Sequence, residues 1–238
     1  MTTGTLYGVG LGPGAPDLLT LRAARLIETA GVIAYPTLAG GQSLARSIAA
    51  EFIPEGVEEI AIDVPMTRDR APAQAAYDAG AARIAEALRA GRDVVCLCEG
   101  DPFFYGSFMY LFARLSGAFD VQVVPGVTSL TTCCARAGMP LVARSETLTV
   151  LPGPLDDAAL EAGIAAADAL AIMKLGRHLD RVRALLTRLG LAHRAVYVER
   201  ASLPEERILP LSEAPSSAPY FSMILLTKGT DPWLNAPS

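Results

Sequence analysis

The sequence is poor in lysine, histidine, tryptophan and cysteine. Of its 20 basic residues only Lys174 and Lys228 are lysine, so arginine carries nearly all the positive charge. Acids outnumber bases and the formal net charge is −5. A general nucleic-acid groove comes with a basic excess, which this chain lacks. No apolar run reaches the roughly 18 residues of a membrane span, and no basic-then-apolar leader pattern is visible. These absences set the expectation of a cytoplasmic protein that uses neither membrane nor nucleic acid. The four cysteines form two tight pairs, Cys96 with Cys98 and Cys133 with Cys134. That spacing does not match paired C-x-x-C metal knuckles, so no metal is expected and the thiols read as small buried hydrophobes. The two histidines, His178 and His193, sit in polar, arginine-rich stretches and read as surface residues.

What remains is a chain of 238 residues that is 51% apolar, enough for a large core. At about 150 residues per domain, its length admits one large domain or two small ones. The first half alternates strand and helix signals. Strands are expected over 5–9, 32–35, 59–64, 93–98 and 121–124. Helices are expected from a cap at Asp17 or Thr20 to Gly31, from Ser43 through Phe52, and over 73–90 and 104–115. The unbroken apolar run before Glu99 suits a parallel strand covered on both faces. After Pro125-Gly126 the pattern changes. A helix over 129–136 precedes strands at 147–151, 168–173, 195–200, 206–211 and 221–227, with helices at 157–166 and 178–189. The closing strands have no helix between them. The expected fold is therefore two α/β domains, 1–125 with a mainly parallel sheet and 126–238 with a mixed sheet.

Three strand-following loops carry the chemistry. The first, 8–14, reads GVGLGPG. It fails the dinucleotide fingerprint, because Pro13 holds the sixth place and Tyr35-Pro36 stands where an acidic residue should end the second strand. Four glycines and two prolines in nine residues exceed what a simple turn requires, which points to a ligand approaching the backbone. The second loop, 98–106, reads CEGDPFFYG: Glu99 and Asp101 supply acceptors, Gly100 permits close approach, and Phe103, Phe104 and Tyr105 offer flat surfaces. Asp101 is also placed to cap a following helix, with the aromatics in the core. The third loop, 124–129, brings Thr128 and Ser129 to a helix start. Three such turns after parallel strands converge on one rim of a sheet.

Five elements in order resemble the tetrapyrrole methylase family over almost the whole chain. They are GLGPGAPDLLT at 10–20, Gly100-Asp101-Pro102, PGVTS at 125–129, Met173-Lys174 and ERAS at 199–202. The stretch 98–115 is most similar to the branch that methylates C20 of precorrin-2, giving precorrin-3A in cobalamin synthesis. The cobalt-bound form of that substrate is the alternative the resemblance leaves open, and a non-catalytic S-adenosylmethionine (SAM) or tetrapyrrole binder is a further one. Pro36 replaces the aspartate that uroporphyrinogen-III methylases carry after the second-strand tyrosine. The resemblance implies a homodimer whose two α/β domains fold around SAM, with S-adenosylhomocysteine as product. Carried over by motif, SAM contacts fall on Pro13, Glu99, Gly100, Asp101, Phe104, Thr128, Ser129, Met173 and Ala201.

The implied substrate bears eight carboxylates, whereas the chain is acidic, so its recognition must be local. Arginine grips carboxylates with paired hydrogen bonds. Arg46, Arg68, Arg70, Arg144 and Arg200 lie in or near expected loops and are the candidates, with Tyr35 at a strand end; Arg177, Arg181 and Arg188 read as a solvated helix face. The meso carbon of a reduced tetrapyrrole is itself a nucleophile, and no residue stands out as a catalytic base.

Overall fold

The computed structural model describes residues 2–38, 41–65 and 69–229; Arg68 lies outside the described residues. The chain divides into two compact units, Met1–Thr128 and Ser129–Ser238. In the first unit, strands β1 (Leu6–Gly10), β2 (Val32–Thr37), β3 (Glu58–Asp63), β4 (Val94–Cys98) and β5 (Val121–Val124) form one sheet in the order β3-β2-β4-β1-β5. All its pairings are parallel. Alternation along the strands sorts the core into two layers. Val9, Leu11, Ile33, Tyr35, Val95 and Leu97 face helices α1 (Leu21–Glu28) and α2 (Leu44–Ile48). Leu6, Val32, Ala34, Val94, Cys96 and Cys98 face α3 (Ala71–Arg89) and α4 (Phe108–Leu115). Every residue of β4 is buried, as its apolar run requires.

This winding creates the site. The chain leaves β1 through α1 on one face and leaves β4 through α4 on the other, yet β1 and β4 are neighbours. Their loops part to opposite faces, and the crevice at such a switch point is where open α/β sheets bind ligands. Gly8 lets α4 pack closely: a Cβ there would lie 2.2 Å from the ring of Phe108, itself 1% exposed.

In the second unit, α5 (Ser129–Arg136) is followed by β6 (Leu148–Pro152), α6 (Asp157–Ala166), β7 (Ala169–Met173), α7 (Leu179–Arg188), β8 (Ala195–Glu199), β9 (Arg207–Pro210) and β10 (Ser222–Thr227). The sheet order is β6-β7-β10-β8-β9, with only β6 and β7 parallel. Leu160 and Ile164 of α6 and Leu179, Val182 and Leu186 of α7 pack on one face, and α5 lies against β10. Arg181 pairs with Asp157, and Arg188 with Glu161 at 3.0 Å. These arginines therefore tie α7 to α6 and are not merely solvated.

Most element boundaries fall within about two residues of expectation, and two helices differ by more. The helix expected over 104–115 starts at Phe108, because residues 101–106 are held in turns by the Asp101 carboxylate and Tyr105 adopts a left-handed φ of 57°. The helix expected to run from Ser43 through Phe52 ends at Ile48 and continues only as a 3₁₀ turn, Ala50–Phe52. Thr20, not Asp17, caps α1: its side chain accepts from the amide of Ala23. Cys96, Cys98 and Cys133 are buried, and burial pushes the Cys98 thiol up to about 11 and that of Cys133 up to about 12.

Candidate functional site

In the first unit the three glycine-rich loops meet at the switch point. The β1 and β4 loops are stitched by two backbone bonds: Gly12 N–H donates to Gly100 O at 3.2 Å, and Gly100 N–H to Gly12 O at 2.7 Å. Both glycines are left-handed, with φ of 75° and 65°. A Cβ on Gly126 would lie 2.1 Å from Gly100 O, and one on Gly10 would lie 2.6 Å from Gly126 N. Only glycine lets three backbones approach this closely.

Asp101 fastens the arrangement. Its Oδ1 accepts from the amides of Phe103 and Phe104 at 2.9 and 3.1 Å, and its Oδ2 accepts from the Gly126 amide at 3.0 Å. The carboxylate thus shapes its own turn and ties the β4 loop to the β5 loop. Its role is that of a clasp rather than a cap of α4, whose N-terminal flank is Ser107. Pro13, Glu99, Gly100, Asp101, Phe104 and Thr128 all belong to this unit, on the loops that follow β1, β4 and β5. Burial pushes the Glu99 carboxyl up.

Tyr35 and Arg46 come together through a residue that sequence reasoning missed. Glu59 accepts from Arg46 Nε at 2.7 Å and from its terminal nitrogen at 2.8 Å, and the Tyr35 hydroxyl donates to the same carboxylate. The Arg46 hydrogen bonds pull the Glu59 carboxyl down to about 2; burial and then the Glu59 bond push the Tyr35 hydroxyl up. Arg46 is therefore already engaged bidentately. Nothing in the alternation of β3 marks Glu59 as a partner, because it shares a strand face with exposed Ala61 and Asp63. Arg70 is exposed, with Nη2 3.4 Å from the Tyr110 hydroxyl. Arg144 is exposed with a left-handed φ of 50°.

In the second unit, β7 and β8 are both antiparallel to β10 and so end at the same rim. Met173 is the last residue of β7, and Ala201 follows β8 and is buried. They flank the start of β10, where Met223 pairs with both Met173 and Val198. The residue just past each strand, Lys174 and Arg200, is left-handed, with φ of 57° and 50°. Neither is glycine, so the two sharp strand exits are held by their surroundings. Glu199, 7% exposed, accepts from the Tyr197 hydroxyl and from Arg207 at 3.3 Å. Arg200 reaches Glu205 at 3.9 Å, beside an open depression of about 540 Å³. Ser129 opens α5.

A glycine-lined switch point in a parallel sheet, followed by a mixed-sheet unit, defines a class. The chain belongs to the tetrapyrrole (corrin/porphyrin) methylases, whose family model matches residues 5–215. Among curated relatives, it is 44% identical over 236 residues to the cobalamin biosynthesis protein CobIJ of Mycobacterium tuberculosis, covering 95% of this chain but only 46% of that protein. It is 39% identical over 232 residues to the precorrin-2 C(20)-methyltransferase of Sinorhizobium sp, covering 94% of this chain and 95% of that one. Among solved structures, the uroporphyrin-III C-methyl transferase of Thermus thermophilus, complexed with S-adenyl homocysteine, superposes with a TM-score of 0.68 at 27% identity. It covers 94% of this chain and 92% of that one.

Proposed function

We propose that this chain methylates C20 of precorrin-2 with SAM as donor, giving precorrin-3A in cobalamin biosynthesis. The observation that carries the reading is the clasp of Gly10, Gly12, Gly100 and Gly126 at the switch point, fastened by Asp101. Its bare backbone fits a ligand that must lie against main chain, and a family relative matched over 94% of this chain and 95% of its own length is named for this reaction. SAM would be held by Pro13, the Glu99-Gly100-Asp101 turn, Phe104, Thr128, Ser129, Met173 and Ala201. When bound it supplies an electrophilic methyl group on a sulfonium.

The chain's own residues have three tasks. The clasp fixes the donor, since orientation alone can contribute several kcal/mol, up to about 7–11 kcal/mol in ideal systems. The buried strand ends keep water out, which favours a step in which charge disperses. Arg70, Arg144 and Arg200, all exposed, give the substrate carboxylates cationic partners that an acidic chain otherwise lacks. Tyr35 and Arg46 act as a pair with Glu59, so their part in substrate binding would be through a shaped, charge-balanced wall. We assign the chain to the cytoplasm and to a homodimer on the family resemblance; light scattering of the purified protein tests the latter. Among the described residues no helix is long and apolar enough to cross a membrane.

Precorrin-2 and its cobalt complex, each incubated with labelled SAM, test the assignment. The expected result is a trimethylated product from the metal-free substrate. Preference for the cobalt complex would move the reading to that form, and transfer to neither, with SAM still bound, would leave a binding protein.

A further inference from the structure

The clasp leaves one carboxylate of the switch point unused. Glu99 directly follows the last residue of β4. Strand alternation turns it to the face covered by α1 and α2, where the main-chain amides of Glu99 itself and of Ala45 favour its charged form against the effect of burial. Its exposure is intermediate, so it is desolvated but reachable. Among the described residues it forms no ion pair. The nearest cation in sequence to its amide partner, Arg46, is turned to Glu59 instead. The neighbouring acid, Asp101, is fully engaged with three amides. The thiols of Cys96 and Cys98 lie on the opposite face of β4, in the layer that packs on α3 and α4, and neither is a cation.

Replacing hydrogen by methyl at a meso carbon releases a proton. The C20–CH₃ bond forms as the S–CH₃ bond breaks, with that electron pair left on sulfur. C20 then carries both hydrogen and methyl. The C20–H bond breaks next, its pair returns to the conjugated macrocycle, and the proton must go to a base. We propose that Glu99 is that proton acceptor, the C20 proton passing to its carboxylate oxygen. The inference rests on the methyl-transfer reading above. A carboxylate without a cation partner, at the end of a strand beside the donor clasp, is the group best placed for the task. Burial raises its proton affinity, which improves a carboxylate base.

Glu99→Gln and Glu99→Asp test this with three readouts: SAM affinity by calorimetry, single-turnover rate against pH, and the rate with C20-deuterated substrate. In E99Q, with SAM saturating so that any weakened donor binding is offset, formation of the deprotonated C20-methyl product is expected to fall on the order of 10²-fold or more. The wild-type rate should drop on the acid side as Glu99 takes up its proton, and that limb should vanish in E99Q. A C20 isotope effect should emerge in E99Q because proton removal becomes limiting. E99D, which keeps a carboxylate one methylene shorter, should retain the acid limb at an intermediate rate, and it serves if E99Q folds poorly. An E99Q rate within threefold of wild type, or an unchanged acid limb, overturns the acceptor role. So does a rate restored to within threefold of wild type by saturating SAM, which would confine Glu99 to holding the donor. A wild-type chain that methylates neither tetrapyrrole overturns both readings, whereas an active E99Q overturns this one alone.

Discussion

Asp101 and Glu59 illustrate how one carboxylate can organise several groups. Removing the Asp101 side chain would strand the amides of Phe103, Phe104 and Gly126. Leaving partly buried donors unmet costs about 1–3 kcal/mol. Asp101→Ala should therefore lower stability in chemical denaturation and also weaken SAM binding about tenfold or more, because the β4 and β5 loops lose their fastening. A SAM affinity equal to wild type would show that the clasp does not serve the donor. Glu59 gives a pH signature. Its folded pKa, about 2, lies below that of an unfolded glutamate. Its stabilisation is thus complete above about pH 4.5 and is lost as the pH falls towards about 2. With its side chain 27% exposed, solvent screening limits the effect to about 1–2 kcal/mol. Glu59→Gln should flatten acid unfolding over that interval, while its stability relative to wild type should be lowest near neutrality.

Among elements, the strands of the first sheet depend on glycines that no side chain can replace. Gly8→Ala would drive a methyl into the Phe108 ring, and Gly126→Ala would press one against the Gly100 carbonyl. Overpacking of this kind costs about 1–3 kcal/mol. Thermal melts should show both losses, but only Gly126→Ala should also depress SAM affinity, since Gly8 lies inside β1 and away from the loop contact. Equal SAM affinity in the two variants would argue against the clasp as the donor site. Strand positions were legible because buried parallel strands write themselves as apolar runs such as VVCLC. Helix starts were less so. The 104–107 stretch looks helical by composition, but an aspartate two residues upstream of the apolar run takes the amides of Phe103 and Phe104 and holds the turn open. Local side-chain competition of this sort overrides propensity.

At the scale of the whole chain, the two-unit α/β plan and the three glycine turns could be read from the sequence, because backbone freedom and strand periodicity both leave local marks. The Arg46–Glu59–Tyr35 cluster could not, since it joins positions on α2, β3 and β2 that only the sheet brings together. The left-handed exits at Lys174 and Arg200 were equally hidden, as neither residue type signals that conformation. The chain-level account is that a parallel sheet's switch point grips a methyl donor for a meso carbon of a reduced tetrapyrrole. Incubating precorrin-2 with ¹³C-methyl SAM and locating the label by NMR tests it most directly. A single enriched methyl on C20 is the predicted spectrum; no enrichment, or enrichment at another ring carbon, would contradict it.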